Sequence, residues 1–238
     1  MTTVCVPATG GGAARTASGR AYVPSARTRQ VWPDRVLDLR RGPGPHPTRA
    51  VRALCYPVGD VVVVSGLPGS GKSTLIDRTV AGARGTVRCL DSQEVRERWE
   101  RRLPRWVPYL VYRPVVRVAH YCRLLRAARS GLSLVVHDCG SVPWVRSGLA
   151  RLARRRGRGM HLLVLDVPPE VAVEGQRARG RRVSDHAFAR HRRACQRLVE
   201  GAVRAVGAAG SALPPGCVSA VLIDRPAARE LRRISFGG

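Results

Sequence analysis

VVVVSGLPGSGKSTL, residues 61–75, is the stretch that decides the fold. The run Val58–Val64 reads as a strand buried on both faces of a parallel sheet, a glycine-rich turn follows it, and Lys72–Val80 reads as a helix. Between strand and helix, GLPGSGKS (Gly66–Ser73) meets G-x-x-x-x-G-K-[ST] at every required position. That chemistry needs these residue types. Gly66, Gly69 and Gly71 let the backbone N–H groups turn inward around phosphate oxygens at the positive end of a helix dipole, with Leu67, Pro68 and Ser70 completing the cradle. Lys72 reaches between the β and γ phosphates as a compact charge, the Ser73 hydroxyl is a ligand for Mg²⁺, and Thr74 is a second hydroxyl beside it. The 238 residues hold 42 basic side chains, and Lys72 is the only lysine among them. A bias that installed arginine everywhere else has left it in place, because the planar guanidinium fork is a poor substitute for a point charge between two phosphates.

Working outward, strands alternate with helices. Strands are expected at 86–90, 132–138, 161–167 and 217–223, and helices at 92–102, 109–130, 143–156 and 169–179, with a further helix capped by Ser184. With the strand before the glycine turn this makes five strands in a doubly wound α/β domain, a mostly parallel sheet with helices on both faces. The expected organisation is a basic, disordered N-terminal tail over residues 1–50 and one ordered domain over 51–238. No Asp or Glu occurs in the first 33 residues, and the stretch lacks both the apolar core of a secretory signal and the amphipathicity of a transit peptide. The apolar runs are too short for a bilayer, which takes about 20 residues. Seven scattered cysteines without a CxxC pair suggest neither a disulfide framework nor a zinc site, so a cytoplasmic, reducing location is expected.

The net charge of +26 has two parts. The preference for arginine over lysine is a coding bias and leaves charge unchanged. The excess of 42 bases over 16 acids is a real field. It favours anionic partners such as nucleic acid or phosphorylated metabolites, or it is simply a solvated arginine-rich surface.

The arrangement resembles the P-loop kinases of the polynucleotide kinase and zeta toxin type, often catalogued as AAA-like ATP-binding proteins, over roughly residues 57–225. The resemblance rests on the phosphate loop, on LVVHD ending at Asp138, on LDVPPE at 165–170 and on LDSQEVRERW beginning at Leu90. It implies ATP and Mg²⁺ as donor and cofactor, and Asp138 as the carboxylate that organises the metal, leaving Asp166 structural. It implies Asp91 as the base that holds and deprotonates an acceptor hydroxyl, with Arg96 as its arginine partner, although the spacing is longer than the family's D-x-x-R. An N-cap role for Asp91 is the competing reading and can coexist with the first. EGQRARGRR at 174–182 lies where an arginine-bearing lid closes over the triphosphate. Arg177, Arg179, Arg181 and Arg182 are its candidates, with Gly175 and Gly180 as hinges, and Arg146 is a further phosphate candidate.

The implied activity is transfer of the γ-phosphate of ATP to a hydroxyl, on a polynucleotide 5′ end or a small molecule. The rival is a nucleotide-dependent switch or a nucleic-acid-binding ATPase whose acceptor is water. A small GTPase is disfavoured, since N-K-x-D needs a second lysine. Residues 99–121 carry five of the chain's eleven aromatics among arginines. Trp99, Trp106, Tyr109 and Tyr112 would stack bases there, beside Arg102, Arg105 and Arg113, or pack a long helix onto the sheet.

Overall fold

The structure is a computed structural model and describes residues 29–41, 51–80, 85–104, 106–138, 143–180, 183–207 and 213–237. Its centre is a six-stranded sheet in the order β2-β8-β7-β4-β6-β5, formed by β2 (Val36–Asp38), β4 (Val61–Gly66), β5 (Val87–Leu90), β6 (Ser133–His137), β7 (Met160–Leu165) and β8 (Ser219–Ile223). Every pairing in it is parallel. The five expected strands are all present, and β2 adds a sixth at the β8 edge.

The valine run is continuous because β4 is buried on both sides. Val62 and Val64 face a core that includes Leu75, Ile76 and Val80 of α1 (Lys72–Val80). Val61 and Val63 face the opposite core, built with α3 (Tyr109–Arg129), α4 (Pro143–Arg154) and α6 (Asp185–Gly207). Two faces covered by helices leave no position in β4 for a polar side chain until the strand ends. The remaining helices, α2 (Ser92–Glu100), α5 (Pro169–Arg177) and α7 (Arg225–Glu230), complete the alternation. No helix of the described residues is long and apolar enough to cross a membrane.

Three expectations need correction. The strand read from Val58 begins at Val61, because Gly59 takes a φ of +85° in a turn that leaves Val58 exposed. Ordered structure starts before Val51: β1 (Arg29–Val31) pairs with β3 (Val51–Tyr56), which pairs with β9 (Arg233–Phe236), in a second, three-stranded parallel sheet. The segment after β2 is clamped by charge. Arg40 binds Asp38 at 2.6 Å and Asp166 at 2.8 Å, and the Arg41 N–H donates to Asp224 Oδ2 at 2.6 Å. Strands of three residues are too short to show periodicity, so pairing partners far away in sequence define them. Residues 1–28 and 42–50 lie outside the described residues. The third correction is that Gly175 is no hinge. It sits inside α5, where an added Cβ would lie 2.3 Å from the carbonyl oxygen of Gly69.

Candidate active site

The loop between β4 and α1 is built against the backbone of α5. Gly69 has a φ of +87°, and a Cβ there would lie 2.1 Å from the Ala172 carbonyl oxygen, so glycine is required twice over. Gln176 ties the contact. Its Nε2 donates to the Pro68 carbonyl at 3.1 Å, and its Oε1 accepts from the Val183 N–H at 3.2 Å. The loop and the backbone at Val183 are therefore joined through one buried amide, a residue the sequence did not single out.

Lys72 is 3% exposed, and its Nζ donates to the carbonyls of Gly66 and Leu67 at 2.8 and 2.7 Å. A buried ammonium is tolerated only when such partners satisfy it. Ser70 directs its N–H to the Leu67 carbonyl at 3.1 Å, while its hydroxyl is buried and without a hydrogen-bond partner. A glycine-lined turn at a helix start, with a buried cation and an orphaned hydroxyl, fits a polyphosphate. The oxygen donors nearby, Ser73 and Asp138, are of the hard kind that Mg²⁺ takes.

A cavity of about 590 Å³ opens beside the loop between α1, β5 and α2. Ser73, Thr74, Asp91, His137 and Arg179 line it together. Asp91 follows β5, and its Oδ2 lies 2.8 Å from Nδ1 of His137, the last residue of β6. Arg179, just beyond α5, donates to the Thr74 hydroxyl at 2.9 Å and so brings one arginine of the 174–182 stretch to the start of α1. Asp77, Glu94 and Glu97 also line the cavity, so four of the chain's 16 acids meet in one hollow of a strongly basic protein.

Other expected site residues lie apart from this lining. Asp138 directs its N–H to the Val64 carbonyl at 2.9 Å, beside the start of the loop, and its carboxylate accepts from Arg146 at 3.0 Å. Arg96 is bound to Glu100, one turn along α2, at 2.6 Å. Arg177 is exposed at the end of α5. Arg181 and Arg182 fall outside the described residues, as do Arg105 and Cys139. Of the aromatics, Tyr112 is buried with Val95 and Val116, Trp99 packs against that cluster, and Trp106 is 80% exposed.

His120 of α3 stands in the field of Asp91, Asp138, His137 and Arg123. Burial holds its pKa below the ordinary histidine value, although both carboxylates pull the other way. Neither His120 nor His137 was singled out for this site by sequence. The one signal was position, since His137 ends the strand that delivers Asp138.

A family profile described as an AAA domain matches residues 61–199, more than half of the chain. No curated protein matches. Among solved structures, a candidate kinase from Chloroflexus aurantiacus shares 18% identity and a TM-score of 0.46 over 71% of this chain and 85% of that one. A chain from the PezAT toxin-antitoxin system of Streptococcus pneumoniae shares 15% identity and a TM-score of 0.43, covering 52% of this chain and 53% of that one. The APS kinase CysC of Mycobacterium tuberculosis, solved with AMPPNP and APS, shares 22% identity and a TM-score of 0.36 over 50% and 69%.

Proposed function

Since the chain belongs to the AAA domain family, with its phosphate loop intact, we propose that it is an ATP-dependent kinase of the polynucleotide kinase and zeta toxin type. The observation that carries this reading is the shared cavity. Asp91, the hydroxyls of Ser73 and Thr74 and Arg179 line one space of about 590 Å³ beside the phosphate loop. A hydrolase or switch needs no carboxylate opposite the phosphate loop to receive a proton from an organic hydroxyl.

In this reading the cradle of Gly66–Thr74 and Lys72 binds the triphosphate. Lys72 gives up its bonds to Gly66 and Leu67 for phosphate oxygens, and the Ser70 hydroxyl gains a partner. Ser73 and Asp138 would hold Mg²⁺, which would draw charge off the phosphate oxygens. Asp91 accepts the acceptor's hydroxyl proton while that oxygen bonds to the γ-phosphorus and the bond to ADP breaks. His137 fixes the orientation of the Asp91 carboxylate. Arg179 meets charge developing on the transferred group.

The lining also bears on the acceptor. Among the described residues Arg179 is the one arginine that lines this cavity, whereas Asp77, Glu94 and Glu97 line it with Asp91. A carboxylate-rich wall repels a polynucleotide end and suits a neutral or amine-bearing polyhydroxyl compound. The test supplies γ-labelled ATP and Mg²⁺ with amino sugars, neutral sugars, nucleosides and 5′-hydroxyl oligonucleotides. Label is expected on a neutral or amine-bearing acceptor and is expected to be lost in Asp91→Asn. Label on oligonucleotides alone overturns the acceptor class. Label released only as free phosphate, at a rate Asp91→Asn leaves unchanged, overturns the kinase.

A further inference from the structure

α3 is apolar on two sides. Its inward side packs Val116, Leu124, Ala127 and Ala128 against the protein. Its outward side carries Val111, Val115, Val118, Cys122 and Leu125, all exposed, with Val111 at 67% and Val118 at 61%. Their spacing of four, three, four and three residues is that of a coiled-coil seam, and at about 100° per residue they form one stripe along the helix. Exposed Arg126 borders the stripe on one side, and Arg129 closes its end. Tyr121 extends it towards Trp144, 66% exposed, whose ring it meets edge-on at 5.2 Å. A helix that is apolar all round belongs in an interior, so a stripe left in water marks a contact surface.

Charge identifies the occupant. α3 contains no Asp or Glu and ends on Arg126 and Arg129, so a second copy would add positive charge to positive charge along this face. The chain's remaining segments are excluded in the same way, because the residues outside the described set contain no acid at all. Nucleic acid would satisfy the arginines but leave a valine stripe facing phosphates and sugars. We propose that the outward face of α3 is a docking surface for an acidic amphipathic helix of a partner protein, its apolar seam on the valine stripe and its carboxylates on Arg126 and Arg129.

Cys122, exposed at the centre of the stripe, reports occupancy directly. The full chain is alkylated with N-ethylmaleimide, and modification is mapped by mass spectrometry. The probes are a synthetic peptide as long as α3 with leucine at the seam spacing and glutamate elsewhere, the same peptide with lysine for glutamate, and a short single-stranded RNA. The glutamate peptide is expected to slow Cys122 modification by about tenfold or more, and Val115→Ser with Val118→Ser to weaken its binding about tenfold without lowering Tm. Equal protection by the lysine peptide overturns the proposal, as does protection by RNA. So do binding of the glutamate peptide that leaves Cys122 reactive, no binding, and a dimer in sedimentation that already protects Cys122.

Discussion

The two ends of β4 both bury polar groups, and they bury them differently. At its C-terminal end, Lys72 is held by the carbonyls of Gly66 and Leu67, partners supplied by a loop. At its N-terminal end, Asp60 is held by the side chain of His161 on β7 and by the backbone N–H of Gly159 just before that strand. His161 Nε2 lies 2.8 Å from Asp60 Oδ2, His161 Nδ1 lies 2.8 Å from the Ser219 hydroxyl, and the Gly159 N–H donates to Asp60 Oδ1 at 2.8 Å. Serine, histidine and aspartate in contact resemble a nucleophile with its base. Here, however, Ser219 is 0% exposed and Tyr56 packs over the histidine with ring centroids 4.7 Å apart. The lower network is sealed and its groups satisfy one another. In the proposed reading, those of the upper end are exchanged for phosphate oxygens. The comparison separates polar burial that fixes strand register from polar burial that prepares a binding site.

The comparison breaks first if the upper end proves dispensable. Lys72→Ala removes the one charge inside the loop, and turnover is expected to fall on the order of 10²–10³-fold in a steady-state phosphoryl-transfer assay. Gly69→Ala acts through shape rather than charge. Its Cβ would lie within 2.1 Å of a backbone oxygen on α5, so loop and helix must part. Nucleotide binding by calorimetry is expected to vanish, with stability lower by about 1–3 kcal/mol from the strained backbone. Undiminished nucleotide affinity in Gly69→Ala would show that the loop does not need its seat on α5.

The lower end predicts the opposite pattern. His161→Phe keeps the ring's volume and leaves Asp60 Oδ2 and the Ser219 hydroxyl without their histidine partner. The expected cost is about 1–3 kcal/mol for each group orphaned, read from denaturant unfolding, with turnover per folded molecule unchanged. A variant of normal stability and reduced turnover would mean that the base of the sheet communicates with the cavity.

What was legible in sequence divides along the same line. The upper end is local: strand, turn and helix follow one another within Val61–Val80, so a single window carries the motif and its context. Asp91 was legible because it ends a strand. Its partner His137 was not, since it arrives on β6, and only the pairing of β6 beside β5 brings the two together. The lower network was invisible for the same reason. Asp60, His161 and Ser219 lie on separate strands or strand ends, and the register His161↔Ser219 exists only once β7 and β8 pair. The acid-lined cavity was hidden by composition, because a net charge of +26 describes the whole surface and not one hollow in it.

The smallest effect concerns pH and sharpens the claim that the lower end is sealed. Burial holds the His161 pKa below its ordinary value despite Asp60 beside it. The unfolded chain takes up a proton at the ordinary value of about 6.5, and the folded chain does so only at lower pH. The unfolded state therefore binds more protons in that interval. Stability is full above about 6.5 and falls as the pH drops from there towards the folded pKa, by at most about 1.4 kcal/mol for each pH unit. His120, also held low by burial, adds a contribution of the same sign. Thermal melts between pH 8 and pH 5 are expected to show a falling Tm in the native chain and a shallower fall in His161→Phe. Equal slopes would mean that the buried histidine does not resist protonation, and that water reaches the base of the sheet.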